Sequence, residues 1–130
     1  MALEVGNFYR YERVFSNADV AAFTELSGDA GRHHVVPDDR GRLVIHGLLL
    51  VSVPTAVGRE IHYLAREMQW LFIRPMYTGE LVVGEVTLLE VQERDERFDI
   101  AMRVIVRNAE GKIAVRGESR GVVLKQSPPR

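Results

Sequence analysis

The residues best suited to chemistry lie in one stretch, Ser27-Gly28-Asp29-Ala30-Gly31-Arg32-His33-His34. It sets a carboxylate and an imidazole, Asp29 and His34, five positions apart, with Gly28 and Gly31 beside them. An Asp can hold a His in one tautomer, and a His exchanges protons near neutral pH. Such a pair facing one point can activate a water molecule. The same residues also suit a plain polar loop, with Asp29 capping backbone amides and both histidines in solvent. Two more histidines, His46 and His62, stand apart, and the four lack the ligand spacing of a metal site. The chain has no cysteine, which removes a disulfide framework, a thiol nucleophile and a thiolate zinc site.

The elements that must position the pair follow from patterning. Residues 8–15 alternate Phe8, Arg10 and Glu12 against Tyr9, Tyr11 and Arg13, which predicts a half-exposed strand. Ser16 followed by Asp19 reads as a helix start, and Val20, Phe23 and Leu26 continue at helical spacing. The predicted helix runs over 17–27, with Gly28 as its stop, so the Asp29 stretch begins where the helix ends. Pro37, Asp38, Asp39 and Gly41 predict a loop over 35–42.

Residues 48–58 are apolar all round and predict a buried helix stopped at Gly58, with a buried strand over 48–53 as the competing reading. Pro54 should bend its last turn, and the Ser52 hydroxyl can return to a backbone carbonyl. Everything after Gly58 reads as strand. Residues 64–74 carry Met68, Trp70 and Phe72 on one side, and 81–91 have Gly84 as a bulge or close-approach point. The cleanest alternation is Phe98, Ile100, Met102, Val104 and Val106, and 112–124 follow with Ala114, Arg116, Glu118 and Arg120 outward. Strands joined by short turns make an antiparallel meander. The expectation is one α+β domain over 1–130, a sheet of about five strands wrapped on a central buried helix, with 125–130 a frayed tail.

Composition sets the outer limits. Hydrophobic residues make up 46 % and charged residues 27 %, as in an ordinary globular domain. A net charge of -1 gives no bulk attraction to nucleic acid or to an anionic membrane. The N-terminus has no signal-peptide pattern and no apolar run could span a bilayer, so a cytoplasmic protein is expected.

Several short motifs then occur in one order: Ser27-Gly28-Asp29, His34, His46-Gly47-Leu48-Leu49-Leu50, Phe72-Ile73-Arg74-Pro75 and Gly79-Glu80. Together they resemble the MaoC-like (R)-specific enoyl-CoA hydratases of the hotdog fold, over about residues 13–124. The resemblance implies syn addition of water to a trans-2-enoyl thioester, giving the (R)-3-hydroxyacyl product, or the reverse dehydration. Asp29 and His34 would be the catalytic pair, with the base among them left open. The Gly47 N–H would meet the thioester carbonyl, and Ser52, Arg32 and His46 would be substrate contacts, His46 also supporting the turn into the helix. No metal and no cofactor are implied, because CoA or an acyl-carrier phosphopantetheine arrives as part of the substrate.

A homodimer or dimer of dimers is implied, with two sheets joined, and neither nucleic acid nor membrane as partner. Among the cations, Arg66, Arg74, Arg94, Arg97 and Lys112 could meet phosphates, as could His33, while His62 reads as surface. The chain departs from the family where Gly31-Arg32 replace the usual Asn-Pro, and its stretch from His34 to His46 is shorter. A hotdog acyl-thioesterase and a non-catalytic acyl-thioester binding protein are the alternatives.

Overall fold

The cleanest alternation in the sequence lies at the centre of a five-stranded antiparallel sheet. The computed structural model describes residues 2–125 and orders the strands β1-β3-β4-β5-β2. They are β1 (Phe8–Val14), β2 (Tyr63–Phe72), β3 (Leu81–Glu93), β4 (Arg97–Arg107) and β5 (Ile113–Leu124). Ile100, Met102, Val104 and Val106 of β4 point to the helical layer and are buried, as are Val82, Val86 and Leu88 of β3. Each such side chain contributes about 1.5–3 kcal/mol by leaving water, which fixes the face the sheet turns inward. The expected frayed tail lies, apart from Lys125, outside the described residues.

The helical layer begins as the sequence dictates. Ser16 and Asp19 form a full capping box, α1 spans Asn17–Ser27, and Gly28 ends it in the left-handed region at φ 79. Val20, fully buried, anchors α1 to the core. A second helix of one turn, α2 (Arg32–Val35), follows where the sequence suggested only polar loop.

The expected single buried helix is broken into α3 (Gly47–Val51), a 3₁₀ turn (Pro54–Ala56) and α4 (Val57–Ile61). Proline is the cause. In an unbroken helix the Leu50 carbonyl would accept from residue 54, but Pro54 has no N–H, so it accepts from Val53 instead, at 3.1 Å. Gly58 is not the stop: it lies inside α4, and His62 ends the segment with φ 56 before the chain enters β2. Gly84 is the close-approach point, since a Cβ there would sit 2.8 Å from Pro54 Cδ. The bulge in β3 lies further on, between Leu88 and Glu90. Ala114 was expected outward but is fully buried. The pairing passes from Val106↔Val115 to Arg107↔Ile113, skipping Ala114, and this irregularity turns it inward.

Candidate active site

Asp29 is held by its own loop before any partner reaches it. The Ser27 hydroxyl donates to the Phe23 carbonyl at 2.7 Å and accepts the Asp29 N–H at 3.1 Å. Asp29 Oδ1 then accepts the Gly31 N–H at 3.2 Å, a local Asx turn, which leaves Oδ2 free to face elsewhere. A Cβ on Gly31 would come within 3.1 Å of His33 Cε1 and 3.3 Å of Asp29 Oδ1, so a larger residue would press both side chains aside by a few tenths of an ångström.

His34 is placed by α2, whose first turn closes through the His34 N–H to the Gly31 carbonyl at 2.8 Å. Its ring is buried, and Nδ1 lies 2.7 Å from the Val44 carbonyl. A carbonyl only accepts, so Nδ1 carries the proton and neutral His34 presents a bare Nε2. That atom lies 3.6 Å from Asp29 Oδ2, a gap too wide for a direct hydrogen bond. The carboxylate side chain is 58 % exposed and the imidazole 6 %, so a solvated acid group faces a buried base.

His46 sits behind both. Its Nε2 lies 3.0 Å from the Asp29 carbonyl and 3.1 Å from Thr24 Oγ1, and its ring stacks on His34 at 3.7 Å and 16°. Burial pushes the His46 pKa below the ordinary histidine value, with His34 and His33 acting in the same direction. The pair opens onto a cavity of about 630 Å³, lined also by His33, Gly47, Leu48, Phe72, Arg74 and Pro75. Gly47 opens α3, where its N–H has no intrahelical acceptor. A Cβ at Gly47 would lie 2.6 Å from Phe72 Cε1, so the glycine makes room for that ring.

The structure therefore brings together Asp29, His34, His46 and Gly47, and leaves two expected contacts outside. Ser52 is exposed, its hydroxyl donates to the Leu49 carbonyl at 2.6 Å, and it does not line the cavity. Arg32 is exposed on α2 and is likewise absent from the lining. Of the candidate phosphate contacts, Arg74 and His33 line the cavity, while Arg94 and Arg97 both hold Asp99, at 2.9 and 2.8 Å. Sequence reasoning missed the Val44 carbonyl, which no residue type advertises, and Thr24, which reads only as a helical position.

Asp29, His34 and His46 each offer a ligand atom within 4.8 Å of the others, the composition of a metal site. The ring geometry is unsuitable: the two imidazoles are stacked nearly parallel, so their in-plane lone pairs lie in separate planes and do not converge on one ion.

No family model matches the chain. The (R)-specific enoyl-CoA hydratase of Aeromonas caviae is 30 % identical over 129 residues, 91 % of this chain and 93 % of that one. The mitochondrial 3-hydroxyacyl-acyl-carrier-protein dehydratase of Arabidopsis thaliana is 25 % identical over 139 residues, 97 % of this chain and 84 % of its own. In structure, the (R)-hydratase from A. caviae superposes with a TM-score of 0.83 at 28 % identity, covering 95 % of this chain and 98 % of that one. The α+β arrangement is thus the hotdog fold. The chain belongs to the MaoC-like (R)-specific enoyl-CoA hydratase family. It is accordingly an enzyme of the enoyl thioester hydratase/dehydratase kind, a lyase. Among the described residues no helix is long and apolar enough to cross a membrane.

Proposed function

We propose that the chain adds water syn across a trans-2-enoyl thioester of CoA or an acyl carrier protein, and runs the reverse dehydration. The observation that carries this reading is the pair of free acceptors, His34 Nε2 and Asp29 Oδ2, 3.6 Å apart at the cavity wall. A water about 2.8 Å from both sees them about 80° apart, close enough to the H–O–H angle to donate one hydrogen to each. His34 Nε2 takes one proton as the water oxygen bonds to the β-carbon. The π electrons move toward the thioester oxygen, where charge grows. The Gly47 N–H, first in its turn and without an intrahelical partner, is suited to receive that oxygen. The imidazolium then returns its proton to the α-carbon. Oxygen and hydrogen arrive from the same wall, which gives syn addition. Asp29 keeps the new hydroxyl oriented. No cofactor enters this sequence of steps.

Two finer parts belong to the same proposal. Arg74, which makes no ion pair among the described residues, and exposed His33 stand at the cavity wall where phosphates of the carrier would pass. A second copy of the chain would pair along β2, an edge strand of ten residues that exposes Leu64, Met68, Leu71 and Phe72. The test of the reaction is incubation with trans-2-enoyl-CoA substrates of increasing length, following enoyl absorbance, free thiol and product configuration together. Loss of absorbance without thiol, giving the (R)-alcohol, is expected. Release of thiol would make the chain a thioesterase, and neither change would leave a binding protein.

A further inference from the structure

His46 is 2 % exposed, yet it is polar and one of its nitrogens has no partner. Nε2 must carry the proton, because the Asp29 carbonyl 3.0 Å away only accepts. Nδ1 is then a bare lone pair, buried and unpaired among the described residues. An unpaired buried nitrogen is destabilising, and an apolar ring would fill the same space without that cost. Packing therefore does not account for a histidine here. Its two working surfaces do.

One surface is the N–H. It reaches the backbone of Asp29 and Thr24 Oγ1 of α1, at 3.0 and 3.1 Å, and so ties the loop to the helix that precedes it. That loop has glycines on both sides of Asp29, at 28 and 31, and needs an anchor. The other surface is the ring face. It lies 3.7 Å from the His34 ring at 16°, while the Phe23 edge closes on His46 at 4.8 Å and 60°. The face blocks the buried His34 ring from tilting away from Asp29. Burial lowers the His46 pKa and so favours its neutral form, and a neutral ring can lie under His34 when His34 gains a proton, whereas a charged one would repel it. The titratable groups facing it are His34, His33 and Asp29, the last opposing the shift.

We propose that His46 is a positioning residue, whose N–H and ring face together set the separation of the Asp29 carboxylate from His34 Nε2. The proposal rests on the hydration reaction for its kinetic readout and on neither substrate nor turnover for its spectroscopic one. Two substitutions divide the surfaces. His46→Gln keeps an N–H near the position of Nε2 without a ring, and His46→Phe keeps the ring without an N–H. In each, kcat per folded molecule is expected to fall about tenfold, with KM changed by no more than about threefold, since misplacing a reacting group by a fraction of an ångström affects the chemical step. His46→Leu, which has neither surface, should lose more than either.

Imidazole nitrogen NMR gives the independent reading. In the wild type, the His46 proton should sit on Nε2 at neutral pH and couple across its hydrogen bond to the Asp29 carbonyl. The His34 resonances should move in both variants. If the wild type turns over no enoyl thioester, the hydration reading fails, and these spectra still decide the positioning role. Unmoved His34 resonances, a proton on Nδ1 of His46 in the wild type, or variants that melt earlier with kcat unchanged would each overturn it.

Discussion

On one wall of the cavity, the groups that set the reacting atoms are tied down. Asp29 Oδ1 is held by Gly31, the Asp29 carbonyl by His46 and His34 Nδ1 by the Val44 carbonyl, which leaves Oδ2 and Nε2 unclaimed. Another part of the wall, at the end of β2, is built otherwise. Phe72 and Ile73 are 49 % and 43 % exposed, and among the described residues β2 has a neighbour on one side only. The tied wall is rigid where atoms must meet within a fraction of an ångström. The loose wall is apolar and unfinished, suited to a substrate chain and to a second copy. The contrast separates chemistry from accommodation, and each side can be tested by damaging it alone.

The largest effect should come from the tied wall. His34→Ala removes the proposed base and should lower kcat by about 10³-fold, within the range for a general acid–base group, as steady-state hydration would measure. On the loose wall, Leu71→Lys places a charge on an exposed edge position. If copies pair there, sedimentation should show the dimer dissociation constant raised by about tenfold or more, or about 1.4 kcal/mol. An unchanged mass would remove β2 as the interface.

Where the walls meet, Gly47→Ala is expected to displace the Phe72 ring, because the new Cβ would lie 2.6 Å from it. About a fivefold loss in kcat/KM should follow, with the N–H itself retained.

The smallest effect is on stability. Unfolded His46 gains a proton near pH 6.5, while in the folded chain burial delays that gain to lower pH. The unfolded state binds more protons in that window, so stability is full above it and falls as pH drops through about 6.5 toward the folded value. Melting followed from pH 7.5 to 5.5 should show this fall, and His46→Gln should flatten it. Asp19, Asp38 and Asp99, held below 3.8 chiefly by hydrogen bonds, lose their contributions only at still lower pH.

The same contrast marks what the sequence makes legible. Signals confined to one turn or one strand could be read: the Ser16–Asp19 box, the Gly28 stop and the alternation of β4. Type and spacing left Asp29 and His34 open between a polar loop and a facing pair, and the fold sets Asp29 Oδ2 3.6 Å from His34 Nε2. What failed depended on strand register or on where a helix breaks and stops. Ala114 turns inward because β4 and β5 slip in register, and α4 runs past Gly58 to His62. Arg32 and Ser52 stand at suggestive positions and do not line the cavity. The carbonyl of Val44, which fixes the tautomer of His34, could not be seen, since every residue has one.

The central claim is that Asp29 and His34 act together on one water. Hydration of crotonyl-CoA by the wild type and by Asp29→Asn tests it most directly. Asparagine keeps the size of the side chain and the Oδ1 acceptor but removes the charge. The expected result is steady loss of enoyl absorbance with the wild type, no thiol released, and a rate about 10³-fold lower for the variant, with both proteins folded. A variant as fast as the wild type would contradict the claim.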